Sequence, residues 1–180
     1  MTPLKYFHFC PRCGARQSGP PTVPVFQCGG CGFRYFFNPA VAIAVFIRRE
    51  DGKVLFIRRA KDPGRGKLAP PGGFIDFGET AEEAAAREIR EEVGLELGNL
   101  EFLCSQPNSY HYAEVTYPVL DLFFTAQAIH GKVATALDDV ASLGWFTPES
   151  VTAEKLAFPS MQAAWRHWRR LEGNEFPNSQ

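Results

Sequence analysis

The sequence predicts an α/β domain that follows a small cysteine-rich module. Apolar runs of strand length, such as Val41–Ile47 and Val119–Ile129, alternate along the chain with segments of helical periodicity. The clearest helical patterns cover residues 80–93 and 160–171. Four of the five cysteines, by contrast, lie within the first 31 residues, in a stretch too short to build a hydrophobic core of its own.

The length of 180 residues suits one full domain with a small appendage. We expect the module at residues 1–37, the α/β domain at residues 38–172 and a frayed tail at residues 173–180. A composition of 45% hydrophobic and 22% charged residues is that of an ordinary globular protein. The net charge of −1 gives no global reason to expect nucleic acid or a membrane as a partner.

The first half of the α/β domain begins with a predicted hairpin. Val41–Ile47 is an apolar run typical of a buried strand, and Asp51-Gly52 is a turn signal before a return strand at Val54–Ile57. Beyond the central helix we expect a strand at residues 95–103, followed by a polar and aromatic loop at residues 108–114.

The second half continues with the long strand at Val119–Ile129 and a loop that begins at Asp138 and runs into Leu143–Phe146. Pro148 suits the first position of a short helix. The last helix has an apolar face, which predicts that it packs on the sheet. This face is formed by Met161, Ala164, Trp165 and Trp168.

The cysteine-rich module contains two Cys-x-x-Cys-Gly sequences. In each one the glycine allows backbone N–H groups to turn toward the sulfur atoms, and together they supply the four thiolates of a tetrahedral Zn²⁺ site with a structural role. A redox pair is disfavoured by the two copies outside any βαβ pattern, and a nucleic-acid-binding ribbon is the minority alternative. The predicted zinc ligands are Cys10, Cys13, Cys28 and Cys31.

Cysteines spaced for metal binding indicate a reducing compartment. No run of 18 apolar residues occurs, and the first residues lack the apolar core of a signal peptide. We therefore expect a cytoplasmic protein without a membrane partner.

Charge is unevenly distributed, because the first 49 residues contain six basic side chains and no Asp or Glu. Such a patch can attract a polyphosphate substrate or RNA, although an ordinary solvated surface is the favoured interpretation. The six are Lys5, Arg12, Arg16, Arg34, Arg48 and Arg49.

The central helix has clear start and stop signals. Thr80 is a suitable N-cap, Glu83 completes a capping box, and Gly94 is a natural C-terminal stop. An apolar stripe three turns long can face the core. It consists of Ala85, Ile89 and Val93.

Three carboxylates share another face of this helix. Glu88, Glu91 and Glu92 follow the i, i+3, i+4 spacing, where like charges cost about 0.2–0.5 kcal/mol per pair. Water can solvate them, which is the favoured interpretation for the helix in isolation, or a cation can lie among them.

The context favours a cation. Gly72-Gly73, Glu79 and the run from Arg87 to Leu95 resemble the Nudix box at every fixed position. The resemblance implies an α/β/α sandwich with a mixed sheet, and a loop–helix–loop that binds Mg²⁺ or Mn²⁺ and hydrolyses a nucleoside diphosphate linked to another group.

The resemblance also implies roles for individual residues. The implied catalytic residues are Glu79, Arg87, Glu91 and Glu92. The implied metal ligands are Glu88, Glu91 and Glu92, with the carbonyls of Gly72 and Gly73. Glu91 and Glu92 are equal candidates for the general base. Where many relatives add a loop glutamate this chain has Ser142, so Asp138, Asp139 or Glu114 is left to replace it.

The substrate is predicted from a second resemblance. A zinc ribbon before a Nudix domain, with Ser105-Gln106-Pro107 after the box, is similar to the NADH pyrophosphatases, but the motif then departs at residues 108–111. We expect hydrolysis of NAD(H) or ADP-ribose. The residues expected to contact the substrate are Tyr35, Phe36, Arg58, Gln106 and Tyr110.

Two alternatives remain at this stage. The chain can be a ligand-sensing Nudix module whose ribbon binds nucleic acid, or the ribbon can be a dimerisation element because of its aromatic residues 33–37. The intact box favours an enzyme with a nucleotide as its partner, disfavours nucleic acid, and leaves a homodimer open.

Overall fold

A computed structural model describes residues 2–17, 19, 21–22, 24–129, 134–137 and 140–173. Their contacts divide the chain into two compact units. The first unit comprises Met1–Ala40 and Ser109–Val119, and the second comprises Val41–Asn108 and Leu120–Gln180. The first unit therefore combines the cysteine-rich module with a segment that lies some seventy residues further along the chain. The boundary expected near residue 37 stays a prediction.

The elements follow the expected order. The strands are β1 (Val25–Gln27), β2 (Arg34–Phe36), β3 (Ala40–Arg48), β4 (Val54–Arg59), β5 (Leu68–Ala69), β6 (Leu97–Tyr112), β7 (Val115–Ala128) and β8 (Val140–Phe146). The α-helices are α1 (Ala81–Val93) and α2 (Pro159–Leu171). Short 3₁₀ helices cover Pro3–Tyr6, Pro148–Ser150 and Ala153–Lys155.

The main sheet has the strand order β5-β4-β3-β7-β6, and β8 pairs with β4. This mixed, curled sheet and the two α-helices form the α/β/α sandwich expected from the sequence. β1 and β2 form a separate antiparallel pair in the first unit. Among the described helices, none has the length and hydropathy needed to span a membrane.

Helix α1 confirms its predicted start and end. Thr80 accepts a hydrogen bond from the backbone N–H of Glu83, whose side chain accepts one from the N–H of Thr80. Gly94 closes the helix in the left-handed region, at φ 67°. The predicted apolar stripe is fully buried, so the opposite side of the helix is left for polar residues.

Aromatic packing against α2 forms the core of the second unit. Phe46 of β3 lies 5.3 Å from Trp165 between ring centroids, and Phe56 of β4 lies 5.2 Å from the same indole. Trp168 stacks on Trp165 at 5.0 Å, and the Trp165 Nε1–H donates to the carbonyl of Val151. The predicted apolar face of the last helix is thus confirmed.

A buried acid that the sequence did not signal ties β7 to the start of α2. Asp121 is 5% exposed, and its Oδ2 accepts hydrogen bonds from Nδ2 of Asn108 at 2.8 Å and from Oγ of Ser160 at 2.6 Å. Burial raises the pKa of Asp121 against the opposing effect of these two donors.

The predicted loop at residues 108–114 is wrong. β6 continues to Tyr112 and turns directly into β7, through Ala113 and Glu114, both with positive φ. The tip of this long hairpin belongs to the first unit. Pairing with β7 supplies hydrogen-bond partners for the backbone of this polar segment, which is why it forms a strand without an apolar pattern.

Two aromatic residues at the end of the ribbon pack on Phe7. Within the first unit, Tyr35 stacks on Phe7 at 5.4 Å, and Phe37 meets Phe7 edge-on at 4.6 Å. Phe7 also contacts the buried Phe26. The ribbon therefore has an aromatic cluster of its own beside its cysteines.

Removing the central indole should destabilise the second unit. We expect Trp165→Ala to lower the free energy of unfolding by about 3–5 kcal/mol, because a large cavity opens in a packed core. Leu171→Ala, at a side chain that is 66% exposed, should change it by no more than about 0.5 kcal/mol. Urea denaturation followed by far-UV circular dichroism measures both, and equal losses would contradict this description of the core.

Candidate functional site

The loop before α1 is fixed to the edge of β3 by backbone hydrogen bonds. The N–H of Val45 donates to the carbonyl of Pro71 at 3.0 Å, and the N–H of Ile43 donates to the carbonyl of Gly73 at 2.8 Å. The N–H of Ile75 completes the series by donating to the carbonyl of Val41. The segment therefore follows the strand, and the sheet sets its position.

Two glycines allow this close approach. At Gly72, with φ of 147°, an added Cβ would lie 2.8 Å from the Cα of Ala44 and closer still to the carbonyl oxygen of Ile43. At Gly73 it would lie 2.7 Å from Oε2 of Glu88. Because backbone atoms of β3 cannot move aside cheaply, Gly72 accommodates no side chain without displacing the loop. A side chain at Gly73 would instead push aside the carboxylate of Glu88.

Arg87 connects this loop to the carboxylates of α1. Its Nε and Nη2 bind both oxygens of Glu79, at 2.7 and 2.9 Å. Its Nη1 donates to Oε1 of Glu88 at 2.8 Å and to Oε2 of Glu91 at 3.3 Å, and Nη2 also donates to the carbonyl of Phe74 at 3.1 Å. One guanidinium thus holds the loop, its acid and two of the three helix carboxylates.

Glu79 and Arg87 form an ion pair, and Glu79 also closes the loop. Oε2 of Glu79 accepts the N–H of Asp76 at 3.0 Å, and the N–H of Glu79 returns a bond to the carbonyl of Asp76. The guanidinium of Arg87, followed by the N–H of Asp76, lowers the pKa of Glu79 to about 2. Glu79 is therefore charged at every physiological pH.

Glu88 is more enclosed than Glu91. Its side chain is 16% exposed, against 54% for Glu91. Burial raises the pKa of Glu88, with smaller contributions from the negative charges of Glu91 and Asp76, while Arg87 opposes the shift. Glu92 lies one turn further on, where its Oε2 accepts the N–H of Gly72 at 2.9 Å.

This donor set fits a hard divalent cation. Mg²⁺ and Mn²⁺ prefer carboxylate and carbonyl oxygens, and a cation relieves the repulsion among carboxylates that share one helix face. In the part of the chain that the structure describes, the three glutamates do not converge as tightly as a closed metal cluster. Their side chains point instead to Arg87 and to the N–H of Gly72.

The two glycine carbonyls predicted as metal ligands are not equivalent. The carbonyl of Gly73 already accepts the N–H of Ile43, and Gly72 meets the helix through its N–H rather than its carbonyl. The sequence also missed the carbonyl of Phe74, which binds Arg87. Backbone acceptors leave no residue-type signal, so only the folded loop shows this contact.

The remaining predicted site residues are distributed between the two units. Arg58 and Gln106 belong to the second unit, whereas Tyr35, Phe36 and Tyr110 belong to the first. Arg58 is exposed and donates to the carbonyl of Gly66 at 3.0 Å.

Ser142 stands three residues before Trp145, at the position where the resemblance places the loop acid. Ser142 lies in strand β8, opposite Arg58 of β4, because β4 offers β8 a pairing edge. Of the suggested replacements, Glu114 lies in the hairpin turn of the first unit. Asp138 and Asp139 fall outside the described residues.

The four cysteines of the first unit are arranged as a tetrahedral metal site requires. All four sulfur atoms lie within 4.8 Å of one another. Sγ of Cys10 lies 3.8 Å from that of Cys31, and Sγ of Cys13 lies 3.7 Å from that of Cys28. A zinc ion with Zn–S bonds of about 2.3 Å separates neighbouring sulfurs by about 3.8 Å, so the cluster fits Zn²⁺.

Backbone N–H groups turn toward one of these sulfurs, as the Cys-x-x-Cys-Gly sequences predict. The backbone N–H of Cys31, with a smaller contribution from the N–H of Gly30, lowers the pKa of Cys28 to about 6, although burial acts in the opposite direction. At Cys13 the backbone of Ala15 acts in the lowering direction, but the neighbouring thiols raise its pKa to about 12. A bound cation favours the thiolate form of all four cysteines.

Residues 38–168 match the NUDIX domain family. The chain belongs to the Nudix family. A protein named NAD-capped RNA hydrolase NudC, from Pseudomonas aeruginosa, is 28% identical over 163 residues, which are 91% of this chain and 54% of that protein. This chain thus spans about half the length of that curated relative.

A shorter and stronger similarity covers the centre of the chain. The ADP-ribose pyrophosphatase of Methanocaldococcus jannaschii is 49% identical over 63 residues, which are 35% of this chain and 37% of that one. Among solved structures, a NUDIX hydrolase from Nitrosomonas europaea matches with a TM-score of 0.70 over 94% of this chain and 96% of its own, at 24% identity. That likeness supports the fold.

The pair of Glu79 and Arg87 should stabilise the protein in a pH-dependent way. Because the folded pKa of Glu79 lies below its usual value, its contribution is present above about pH 4.5 and is lost as the pH falls toward 2. We expect the difference in unfolding free energy between wild type and Glu79→Gln to be constant from pH 7 to pH 5 and to shrink below it. Urea denaturation at each pH measures it, and a difference independent of pH would count against the pair.

Proposed function

We propose that the chain is a metal-dependent pyrophosphohydrolase that cleaves the diphosphate of NAD(H) or ADP-ribose. The observation that carries the proposal is the single guanidinium of Arg87, which orders the loop acid Glu79 beside Glu88 and Glu91. A helix face that only needed solvation would not require such a network.

Metal binding falls to the carboxylates of α1. Glu88, Glu91 and Glu92 would hold Mg²⁺ or Mn²⁺, with Gly72 and Gly73 offering backbone oxygens. When bound, the cation neutralises charge on the diphosphate and makes a water molecule more acidic. Zinc in the first unit has a structural role, and its reduced thiols favour the cytoplasm as the compartment.

The residues of the chain itself have separable tasks in this proposal. Glu79 and Arg87 are positioning residues, since they hold the loop against the helix. Glu92 keeps Gly72 in place by accepting its N–H. Glu91 is the exposed member of the three helix carboxylates, whereas Glu88 and Glu92 are partly buried, and we assign it the transfer of a proton from water.

The choice of substrate follows the chemistry that the relatives' names share. One relative is named for NAD-capped RNA and another for ADP-ribose, and both compounds contain ADP-ribose, in which a diphosphate joins two riboses. The identity with the ADP-ribose pyrophosphatase is confined to about a third of this chain. This similarity supports the prediction that the diphosphate is cleaved more than it supports the identity of the group attached to the diphosphate.

Replacing Glu92 should abolish hydrolysis without unfolding the protein. Glu92→Gln keeps an oxygen that can accept the N–H of Gly72 but removes the charge, so we expect more than about a hundredfold loss of kcat/KM for ADP-ribose and NADH with Mg²⁺ or Mn²⁺. Glu82→Gln, in the first turn of the same helix, is the matched control and should leave activity unchanged.

Chromatography of the products measures the rates, and mass spectrometry of products formed in ¹⁸O-labelled water shows which phosphorus receives the oxygen. Activity of Glu92→Gln close to that of wild type would contradict the assignment of the helix face. Wild-type protein that binds the metal and turns over neither compound would contradict the proposed function.

A further inference from the structure

The first unit exposes an unusual number of aromatic side chains. Six Tyr and Phe residues within its two short segments are between 38% and 62% exposed. They are Tyr6, Phe9, Tyr35, Phe36, Tyr112 and Tyr117. Aromatic rings of this size are ordinarily buried, so a set of exposed rings in one small unit indicates a surface that binds something flat and apolar.

The same unit is positively charged. Its segments contain four Lys or Arg residues and one carboxylate, that of Glu114. All four cations are exposed, and no salt bridge joins any of them to a described carboxylate. They are Lys5, Arg12, Arg16 and Arg34. Three excess positive charges on about fifty residues favour a polyanion.

Rings and cations also occur side by side. Phe9 and Arg16 are directly opposite each other in an isolated antiparallel bridge, so their side chains share a face. In β2, Arg34 and Phe36 lie two residues apart and share a face because side chains alternate along a strand. Between them Tyr35 points the other way, toward Phe7 of the ribbon core.

We propose that the first unit binds single-stranded RNA, whose bases stack on the exposed rings while its phosphates contact the neighbouring cations. A single strand binds to aromatic rings interleaved with basic side chains, because its unpaired bases can stack on the rings and its phosphates are attracted to the positive charges. A duplex hides those faces, and a simple polyanion has none.

RNA is chosen over other single strands through the proposed function, on which this choice rests. The diphosphate of NAD, which the second unit would cleave, is also present in NAD-capped RNA, the compound for which one relative is named. A second copy of the chain is a poorer occupant, because a twofold contact would bring two identical surfaces with excess positive charge against each other.

Binding of a fluorescent, uncapped 12-nucleotide RNA to the zinc-loaded full chain tests the inference. Phe9→Ala should weaken binding roughly five- to a hundredfold, the range typical of one lost stacking contact. Arg16→Gln should weaken it and reduce the slope of log affinity against log salt by about 0.7, the value for one phosphate on a single strand. Phe9→Tyr should keep wild-type affinity, whereas Phe9→Leu should not.

Matched controls lie in the second unit. Phe102→Ala removes a ring that is 61% exposed, Arg166→Gln removes an exposed cation, and both should bind RNA as wild type does. Zinc content near one per chain in every variant shows that the ribbon remains folded. Phe36→Ala and Arg34→Gln, which alter the second ring–cation pair, should add to the effects of the first.

Several results would overturn the inference. Ribbon variants that bind as wild type does would overturn it, as would equal affinity for duplex RNA or heparin, which would show attraction by charge alone. Preference for single-stranded DNA would show a different occupant, and loss of a dimer in Phe9→Ala would show a subunit interface. Hydrolysis of ADP-ribose is measured in parallel, so that failure of RNA binding with turnover intact is distinguished from failure of the proposed function.

Discussion

The bidentate contact between Arg87 and Glu79 is the interaction on which the site depends. A pair this close to solvent contributes little to stability alone, but here one guanidinium also meets Glu88, Glu91 and the carbonyl of Phe74. Five directed hydrogen bonds from a planar group fix orientation as well as distance. Lysine could supply the charge without this geometry.

The backbone of β3 imposes the second constraint. Because the loop lies against the strand, Gly72 cannot carry a side chain, and a side chain at Gly73 would meet the carboxylate of Glu88. The sheet therefore positions the loop, and the loop positions the N–H of Gly72, from which Glu92 accepts a hydrogen bond. Arg87 in turn holds Glu79 of the loop together with Glu88 and Glu91 of the helix. In the first unit, bound zinc would take the place of a large hydrophobic core. Four sulfurs at tetrahedral separation would then hold together a module with few buried residues.

The sequence predicts the features of this structure that depend on neighbouring residues along the chain, and it does not predict those that depend on tertiary contacts. The start and end of α1 were predictable because Thr80, Glu83 and Gly94 act within one turn of the chain. The extension of β6 to Tyr112 was not, since polar residues there pair with β7 and the turn uses Ala113 and Glu114, which carry no turn signal. Three further features arise from tertiary contacts, which residue type does not encode. They are the roles of backbone groups, the burial of Asp121 and the membership of the hairpin tip in the first unit.

A double-mutant cycle tests most directly whether Arg87 and Glu79 act as one element. The measurement is kcat/KM for ADP-ribose of wild type, Glu79→Gln, Arg87→Lys and the double variant. Since either change releases the loop, we expect each single variant to lose at least about tenfold and the double variant to lose no more than the worse single one. Losses that multiply in the double variant, or an Arg87→Lys protein as active as wild type, would contradict the account.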